Sequence, residues 1–428
     1  MPLLVLLFSF FGLLIFQCPI PFALLISSLL TLWVKGLPLT MVAQNLIGGA
    51  ESFTLLAVPF YILAGEIMNV SGITERIFNF AMALIGHIRG GLGHVNILAS
   101  MIFAGISGSA SADAAGLGRV EIEAMRREGY DINFAASITA VSSTIGPIIP
   151  PSIHLVIFGA IAEVSVEDLF MAGIIPGVLM GLALMVTVYI MALTGIQKCP
   201  LRRRPSLGEI WQSFLKASFS LFAPVIILGG ILIGAVTPTE AGVIAVLYTT
   251  FLGLMYRMLT KDRAIRALKN TVRSTSVVMF LVATAKSFAW LITVERIPEI
   301  LSEFMFRLTS DKNVILTLIC IGLLLIGTVE TAMANLVIVT PLLVSVALTL
   351  NIDLVHLGLV TVFALMIGLI TPPVGASLYI VADVASISFE KMVGGTLIYL
   401  IPLVVVLFLL AFFPDVVLLL PRQLGYGN

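Results

Sequence analysis

Two pairs of motifs, 222 positions apart, contain the residues of this chain that are best suited to bind ions. The first pair is GISGSASADAAGLG (105–118) and STIGPIIPPS (143–152), and the second is GTVETAMANLVIVTP (327–341) and IGLITPPVGAS (367–377). At this offset Gly105 aligns with Gly327, Gly146 with Gly368, and Pro150-Pro151 with Pro372-Pro373. Small polar residues and paired prolines leave backbone groups that need partners where water is scarce. Their repetition in two halves predicts a transporter binding site.

The predicted hairpin tips and helix breaks in these motifs supply oxygen atoms. Glycine lets the backbone turn sharply and expose carbonyls, and serine and threonine add hydroxyl groups. Proline frees a carbonyl in the preceding helical turn. Such oxygens suit Na⁺, so we expect at least two Na⁺ ions. The predicted ligands are Ser107, Gly108, Ser109, Gly146 and Ile149 in the first half, and Gly327, Glu330, Thr331, Gly368 and Thr371 in the second.

The space between the two hairpin tips is the predicted substrate site, because half-helix N-termini there offer N–H groups to an anion. The predicted substrate-binding residues are Ser109, Ser111, Asp113, Arg119, Ser143, Thr144, Pro150, Ser152, Glu330, Asn335, Thr371 and Pro372. Asp113 either caps the returning helix or lies near an ion. Arg119 either meets the substrate or belongs to a solvated set with Glu121 and Glu123. The alternative for all four motifs is that small residues only permit tight helix packing.

Lys286, in FLVATAKSFAWLI, is the one cation deep in an apolar run. An ionisable residue inside a membrane segment is a functional candidate by default. We expect Lys286 to pair with a substrate carboxylate, an acid at a subunit interface or a lipid headgroup, unless its side chain extends to the membrane surface. Glu66, in ILAGEIM, is a weaker candidate of the same kind.

The composition indicates a membrane protein and excludes several other classes. Of the 428 residues 59% are hydrophobic and only 11% are charged, against about 25% charged residues in a soluble domain. The zero net charge gives no footprint for nucleic acid. The three cysteines have no CxxC motif and the four histidines lack ligand spacing, so neither a disulfide framework nor a metal knuckle is expected. No acid, base and nucleophile cluster together, so we expect no enzyme.

Apolar segments and basic clusters predict the path of the chain through the membrane. Positive residues mark cytoplasmic ends, and basic residues on both sides of 92–125 predict a re-entrant hairpin. Crossings are predicted at about 2–17, 20–34, 52–69, 132–161, 169–195, 218–236, 241–259, 275–294, 355–380 and 391–413. Amphipathic stretches predict helices in the membrane interface at 38–48, 73–86, 207–217, 260–272 and 298–308.

Each half then has five crossings and one hairpin, so the two halves must have opposite orientations. The predicted fold is an all-α polytopic membrane protein with an inverted-topology repeat, about ten crossing helices, two re-entrant hairpins and interfacial arm helices. The even number of crossings predicts that both termini are periplasmic. The predicted boundaries are 1–200 for the first repeat (hairpin about 90–127, broken helix about 132–161) and 201–428 for the second (hairpin about 313–351, broken helix about 355–380).

Four segments resemble a known family. GISGSASADAAGLGRVEIEAMRREGYD, PFYILAGEIM, STIGPIIPPS and GLITPPVGASLY are similar to the large membrane subunit, of the M or DctM type, of tripartite ATP-independent periplasmic (TRAP) transporters. The resemblance covers essentially the whole chain, and the first hairpin is similar to the sialic-acid type. It implies Na⁺-coupled symport of an organic acid into the cell, with sialic acid favoured. The alternatives are a C4-dicarboxylate or another organic anion and, from a different class, an ion channel.

The resemblance also implies partners and a location. The family works with a periplasmic substrate-binding protein and a small four-helix membrane subunit, which some members fuse ahead of the large one. Since this chain starts with its first helix, we expect the small subunit as a separate chain. The expected location is the bacterial inner membrane, with lipid contacts. A similar plan in dicarboxylate/Na⁺ symporters implies an elevator mechanism, in which the hairpins and broken helices move together.

Overall fold

The computed structural model describes residues 2–309 and 311–425, and all regular structure in these ranges is helical. This confirms the predicted all-α class. A 3-10 turn, Phe53–Leu56, leads into the fourth α-helix. The α-helices are α1 (Pro2–Ile15), α2 (Ile20–Lys35), α3 (Thr40–Ala50), α4 (Ala57–Val70), α5 (Ile73–Ile85), α6 (Gly91–Ser107), α7 (Ala110–Ala115), α8 (Leu117–Arg127), α9 (Ile132–Ser143), α10 (Ile153–Ala162), α11 (Val166–Leu193), α12 (Leu207–Leu232), α13 (Pro238–Met255), α14 (Lys261–Val294), α15 (Ile297–Leu308), α16 (Lys312–Gly327), α17 (Ala332–Thr349), α18 (Leu354–Gly368), α19 (Ala376–Ala385), α20 (Phe389–Phe412) and α21 (Pro414–Gln423).

Within the described ranges, seven helical segments are long and apolar enough to cross a membrane. They are Phe53–Val70, Val166–Leu193, Leu207–Leu232, Pro238–Met255, Lys261–Val294, Ala332–Thr349 and Phe389–Phe412. Six of them coincide with predicted crossings, and Ala332–Thr349 is the return arm of the predicted second hairpin. The other four predicted crossings are the two helices predicted to be broken and α1 and α2, which have 14 and 16 residues. These segments confirm a polytopic membrane protein.

Two helices contain long interruptions. α9 ends at Ser143 and α10 begins at Ile153, while α18 ends at Gly368 and α19 begins at Ala376. Each interruption contains a double proline, which cannot donate a helical hydrogen bond. The peptide bonds within Pro150-Pro151 and Pro372-Pro373 are both cis. The two interruptions therefore share their backbone chemistry as well as their spacing.

Two of the predicted interfacial helices, 207–217 and 260–272, are not separate elements. Both continue without a break into the crossings that follow, as α12 and α14. The prediction failed because a change from amphipathic to apolar composition does not by itself end a helix. α14 has neither glycine nor proline in its 34 residues, so nothing interrupts its hydrogen-bond ladder. The other three stretches form α3, α5 and α15.

The helices of the two halves follow the same order at the 222-residue offset. α6, α9 and α11 correspond to α16, α18 and α20, whose first residues agree with the offset to within one position. α3 and α4 together correspond to α14. They are separated at Glu51–Leu56, after the pair Gly48-Gly49, whereas α14 has Asn270 and Thr271 at the positions of the two glycines. The two halves therefore share one order of helices but differ in where those helices are interrupted.

The hairpins and broken helices lie at the centre of the molecule. Thirteen of the 15 residues of α18 are buried, whereas only five of the 26 residues of α12 are buried. α12 exposes large apolar side chains, including Trp211, Phe222 and Val225. An apolar periphery around a central core is the arrangement that a lipid environment requires.

Candidate functional site

The first hairpin turns between α6 and α7, at Ser107, Gly108 and Ser109. Gly108 has a φ of 59°, in the left-handed region that glycine adopts without strain. A Cβ atom on Gly108 would lie 2.5 Å from the carbonyl oxygen of Pro151, so the tip packs directly on the double proline. The backbone N–H of Ile153 donates to the Gly108 carbonyl at 3.4 Å and joins the tip to the break.

Asp113 lies beneath this tip and is only 2% exposed. Its Oδ1 accepts a hydrogen bond from the Ser107 hydroxyl, while its Oδ2 has no hydrogen-bond partner among the described residues. A Cβ atom on Gly146 would collide with Oδ2, so this free oxygen faces the backbone of the first break. A buried carboxyl group whose oxygen has no donor is costly unless a proton or a cation satisfies it. Asp113 thus offers a cation an anchor between the hairpin and the break.

The hydroxyl groups of the first break are turned towards the backbone. Ser143 and Thr144 donate to carbonyls one turn earlier, at 2.8 and 2.6 Å. Ser152 donates to the Pro147 carbonyl and accepts from a backbone N–H at 3.2 Å, which caps α10. All three side chains are buried. Because their protons are already engaged, these oxygens can still accept a hydrogen bond or coordinate a cation.

The second hairpin turns between α16 and α17, and Asn335 occupies the position of Asp113. Asn335 is 3% exposed. Its side-chain nitrogen donates to the carbonyls of Ile326 and Glu330, at 3.1 and 3.3 Å. An amide therefore ties the second tip together where a carboxylate holds the first, and the two carbonyls that it engages have fewer lone pairs left for an ion.

The second hairpin also packs closely on its own break. A Cβ atom on Gly327 would lie 3.0 Å from the Cα atom of Gly368, so only glycine permits this approach. The Thr371 hydroxyl donates to a carbonyl one turn earlier at 2.7 Å, immediately before Pro372. Thr331 caps α17 by accepting a backbone N–H at 3.4 Å. The break therefore offers carbonyl and hydroxyl oxygens without a buried acid.

Each hairpin also contacts the broken helix of the other half. α7 packs against α19, and α10 packs against α17. Since α7 corresponds to the start of α17, and α10 to α19, the two contacts are equivalent under the 222-residue offset. The two motif pairs therefore form one connected centre.

A cavity of about 550 Å³ opens beside the first hairpin tip, within the range of roughly 300–1,000 Å³ that is usual for small-molecule sites. α4, α7, α8 and α14 form most of its wall. Its lining includes Ser107, Ser109, Ser111, Arg119, Glu66, Asn69, Asn270, Ser274 and Met333. The hydroxyl groups of Ser109 and Ser111 lie 3.2 Å apart at its edge. Arg119 is exposed to it and forms no ion pair with another described residue. Hydroxyl groups and a free guanidinium suit an organic acid with several oxygen atoms.

The second hairpin tip faces a different cavity, of about 380 Å³. Glu330 and Thr331 line it together with the turn between α1 and α2. The second hairpin reaches the larger cavity through Met333 instead. The polar lining of the larger cavity thus comes from the first hairpin and from the helices facing it.

The predicted substrate residues therefore fall into three groups. Those that line the larger cavity are Ser109, Ser111 and Arg119. Those buried in the breaks and tips are Asp113, Ser143, Thr144, Pro150, Ser152 and Asn335, while Thr371 and Pro372 lie half-buried in the second break. Glu330 lines the second cavity. Asn69, Asn270 and Ser274 were not predicted as site residues, although amides and hydroxyls near apolar runs are the kind of pattern that marks such positions.

The two charged residues singled out in apolar runs have distinct surroundings. Glu66, on α4, lines the larger cavity and accepts a hydrogen bond from Asn270 at 3.0 Å. Lys286, on α14, donates to the Gly48 carbonyl at 2.9 Å and lines a separate cavity. Neither side chain therefore simply faces lipid.

A chain of buried hydrogen bonds runs behind the first tip. Ser100 lies 3.1 Å from Ser142, which donates to the side-chain oxygen of Asn96 at 2.6 Å. The nitrogen of Asn96 donates to Thr139 at 2.7 Å, and the Thr139 hydroxyl lies beside the carboxyl group of Glu121. Glu121 is 1% exposed, and its Oε1 has no partner among the described residues. The donors of this chain point towards a buried acid.

Comparisons with known proteins agree with this architecture. The family described as "Tripartite ATP-independent periplasmic transporter, DctM component" matches residues 7–416. The chain is 45% identical to the sialic acid TRAP transporter large permease protein SiaM of Vibrio cholerae, over 98% of this chain and 99% of the relative. It is 40% identical to the 2,3-diketo-L-gulonate TRAP transporter large permease protein YiaN of Escherichia coli, over 94% of each. The crystal structure of the Alcanivorax borkumensis YdaH transporter has a similar fold, with a TM-score of 0.65, 14% identity and 88% of each chain covered.

These matches confirm the resemblance on which the sequence analysis relied. They identify a transporter permease and not an enzyme, and with the apolar helices they indicate a multi-pass protein of the bacterial inner membrane. Proteins of this kind work with a small membrane subunit and a periplasmic binding protein. The chain belongs to the DctM component family of tripartite ATP-independent periplasmic transporters.

Proposed function

We propose that this chain catalyses Na⁺-coupled uptake of an organic acid, with sialic acid as the favoured substrate. The observation that carries the proposal is the free buried oxygen of Asp113 beside a cavity lined by Ser109, Ser111 and Arg119. A cation held at Asp113 and an anion held at Arg119 would lie on opposite sides of one hairpin tip. Binding of either would then stabilise the same tip conformation, which is the basis of coupling.

The first proposed Na⁺ site lies between the first hairpin and the first break. Its ligands would come from Ser107, Gly108, Ser109, Gly146 and Ile149, with Asp113 supplying formal charge. The site suits a cation because the Asp113 oxygen is buried without a donor and because the ends of α6 and α9 leave carbonyls outside the helical ladder.

The second proposed Na⁺ site lies between the second hairpin and the second break. Its ligands would come from Gly327, Glu330, Thr331, Gly368 and Thr371. The match is weaker there because the Asn335 amide already engages the Glu330 carbonyl. We therefore propose two Na⁺ ions bound with unequal affinity. With two Na⁺ for one monovalent acid, one net charge crosses, which supplies about 2.3 kcal/mol per 100 mV.

We further propose an elevator mechanism for alternating access. The two hairpins and the broken helices would move as one body, because each hairpin contacts the broken helix of the other half. The first and second repeats, 1–200 and 201–428, would have opposite orientations in the membrane and both termini would be periplasmic. The small four-helix subunit would be a separate chain, and a periplasmic binding protein would deliver the substrate.

Sialic acid is favoured because the relative named for it, SiaM, is more similar than YiaN, which is named for 2,3-diketo-L-gulonate. Both named substrates are organic acids, so the alternative is a C4-dicarboxylate or another organic anion at the same site. An ion channel has less support, because each hairpin tip packs directly against the break of its own half.

The test is reconstitution of the chain with its small subunit and binding protein in liposomes. An inward Na⁺ gradient should drive accumulation of N-acetylneuraminate above its external concentration, and succinate and 2,3-diketo-L-gulonate should be tested in parallel. Uptake that is unchanged when Na⁺ is replaced by K⁺, or when the binding protein is omitted, would contradict the proposal. Single-channel currents would favour the channel instead.

A further inference from the structure

Lys286 has a neutral hydrogen-bond partner. Its ammonium group donates to the carbonyl of Gly48, and none of the ion pairs among the described residues includes it. The equivalent position in the first half is Ala64, which is fully buried. Helix packing at this position of the repeat therefore does not require a lysine. A charged group within the membrane is retained where it has a function or a partner.

The lysine lines a cavity of about 150 Å³ between α3 and α14 on one side and α10 and α17 on the other. Glu163, at the end of α10, lies at the same cavity and is exposed. Under the predicted topology the turn after α10 is periplasmic, so we name this the outer cavity. The larger cavity beside the first hairpin tip is then the inner cavity.

The inner and outer cavities follow one another along α14. Asn270, Ser274 and Val278 line the inner cavity, whereas Val282, Lys286 and Ala289 line the outer one. Ser274 and Lys286 are twelve residues apart, which is about 18 Å along a helix at about 1.5 Å per residue. One face of α14 therefore lines both cavities.

α10 and α17 form the wall that separates the two cavities. Ile153 and Met333 line the inner cavity, and Ala160 and Pro341, further along the same two helices, line the outer one. Both helices belong to the body that the proposed mechanism moves. A shift of about 18 Å along α14 would bring the first hairpin tip from the level of Ser274 to the level of Lys286.

We propose that Lys286 is an anion-binding residue of the outer face, whose ammonium group binds the carboxylate of the incoming organic acid when the first hairpin tip lies at the outer cavity. This inference rests on the proposed function. In the present conformation the ammonium group is held by a neutral carbonyl. A carboxylate is a stronger partner than a carbonyl, because it adds the Coulomb attraction between two full charges, which is larger where water is scarce. Arg119 travels with the hairpin, so Lys286 adds a second positive charge only at the outer face.

The test compares Lys286→Gln with Lys286→Arg in the reconstituted complex, using N-acetylneuraminate as the transported acid. Glutamine keeps an N–H donor for Gly48 but removes the charge, while arginine keeps the charge. Lys286→Gln should raise the half-saturating concentration at the outer face about tenfold, and Lys286→Arg should restore most of the wild-type value. The half-saturating concentration for efflux, measured from the cytoplasmic face, should stay unchanged in both variants.

Lys269→Gln is the matched control, because Lys269 is an exposed lysine of α14 that lines neither cavity. An unchanged outer half-saturating concentration in Lys286→Gln would overturn the inference, and so would an equal increase at both faces. A lower thermal denaturation temperature with normal outer affinity would also overturn it, since Lys286 would then only cap α3. If the wild type and Lys269→Gln both lack Na⁺-dependent uptake, the proposed function itself is wrong, whatever the result for the Lys286 variants.

Discussion

The two hairpins occupy equivalent places in the two halves, but only the first contains a buried acid. Asp113 presents a free oxygen to Gly146, whereas Asn335 donates its amide to two carbonyls of its own tip. The difference continues behind the tips. Residues Asn96, Ser100, Thr139, Ser142 and Glu121 form a buried polar chain, and their equivalents are Leu318, Gly322, Thr361, Ala364 and Leu343.

One backbone arrangement therefore supports two different distributions of charged and neutral polar groups. Both halves keep a glycine before the hairpin turn (Gly105 and Gly327), a glycine in the break (Gly146 and Gly368) and the double proline, because these residues set the path of the chain. The turn itself differs, since Gly108 of the first tip corresponds to Glu330. The first half adds two buried acids, Asp113 and Glu121, and a chain of hydrogen-bond donors that leads to Glu121. The second half relies on neutral oxygens. A cation loses more when a carboxylate is removed than when an amide is removed, so the halves should respond unequally to matched substitutions.

The largest expected effect is the loss of the acid at the first tip. Asp113→Ala should raise the half-saturating Na⁺ concentration for uptake by more than about tenfold, since losing a charged ligand costs about 1.5–3 kcal/mol. Asn335→Ala, the matched change in the second half, should raise it by only about threefold. The measurement is initial uptake rate against Na⁺ concentration at a fixed substrate concentration. Equal shifts in the two variants, at equal protein levels, would contradict the unequal sites.

Local patterns in the sequence were sufficient to predict the hairpins and breaks. Glycine, serine and proline act on the backbone within a few residues, and their repetition at one offset identified the equivalent elements. The resemblance to a known family correctly predicted the class of the protein. The continuity of α14 was not predicted, because the change from amphipathic to apolar composition near Thr275 predicted a helix end. The residues of α14 before Thr275 include neither glycine nor proline, so the helix continues through this point.

The far wall of the inner cavity was also beyond the reach of sequence patterns. Asn69 and Asn270 stand about 200 positions apart, and neither lies in a repeated motif. They meet only because α4 packs against α14. The polar chain that ends at Glu121 was hidden for a similar reason. Its members look like scattered serines and threonines until α6, α8 and α9 come together.

A smaller effect is expected when the polar chain behind the first tip loses its acceptor. Glu121→Leu introduces the residue found at the equivalent position, Leu343, and leaves the Thr139 hydroxyl without an acceptor. We expect this to lower the free energy of unfolding by about 1–3 kcal/mol, the cost of an unsatisfied buried polar group. Glu121→Gln keeps an acceptor oxygen and should stay within about 1 kcal/mol of the wild type. The thermal denaturation temperature of the purified protein in detergent reports both changes.

The opposite order, with Glu121→Gln less stable than Glu121→Leu, would show that the carboxyl group is not the end point of the chain. A third result is also informative. If both variants keep wild-type stability but shift the Na⁺ dependence of uptake, the chain acts on Asp113 and not on the packing of α8 against α9.

The smallest expected effect is the loss of the caps that start the two return arms. Ser109 accepts a backbone N–H at 3.5 Å and Thr331 accepts one at 3.4 Å. Since both bonds are long, alanine at either position should cost about 0.5–1 kcal/mol, the low end of the range for such caps. Thr331→Ala should act mainly on stability, because it caps the 18-residue α17, whereas Ser109 caps the six-residue α7 and lines the inner cavity. Ser109→Ala should therefore raise the half-saturating substrate concentration by about two- to fivefold while changing stability less.

Thr331→Ser separates the two roles of the second tip, because it restores the capping oxygen without the methyl group. It should recover the stability lost in Thr331→Ala, and it should recover the Na⁺ dependence only if the hydroxyl oxygen is also a cation ligand. The other outcome is that Thr331→Ser recovers the stability while the wild type, Thr331→Ala and Thr331→Ser all show the same Na⁺ dependence. Thr331 would then not be a ligand of the second cation site. The second site would then be left to main-chain oxygens and the Thr371 hydroxyl, and the contrast with the acid-containing first site would become stronger.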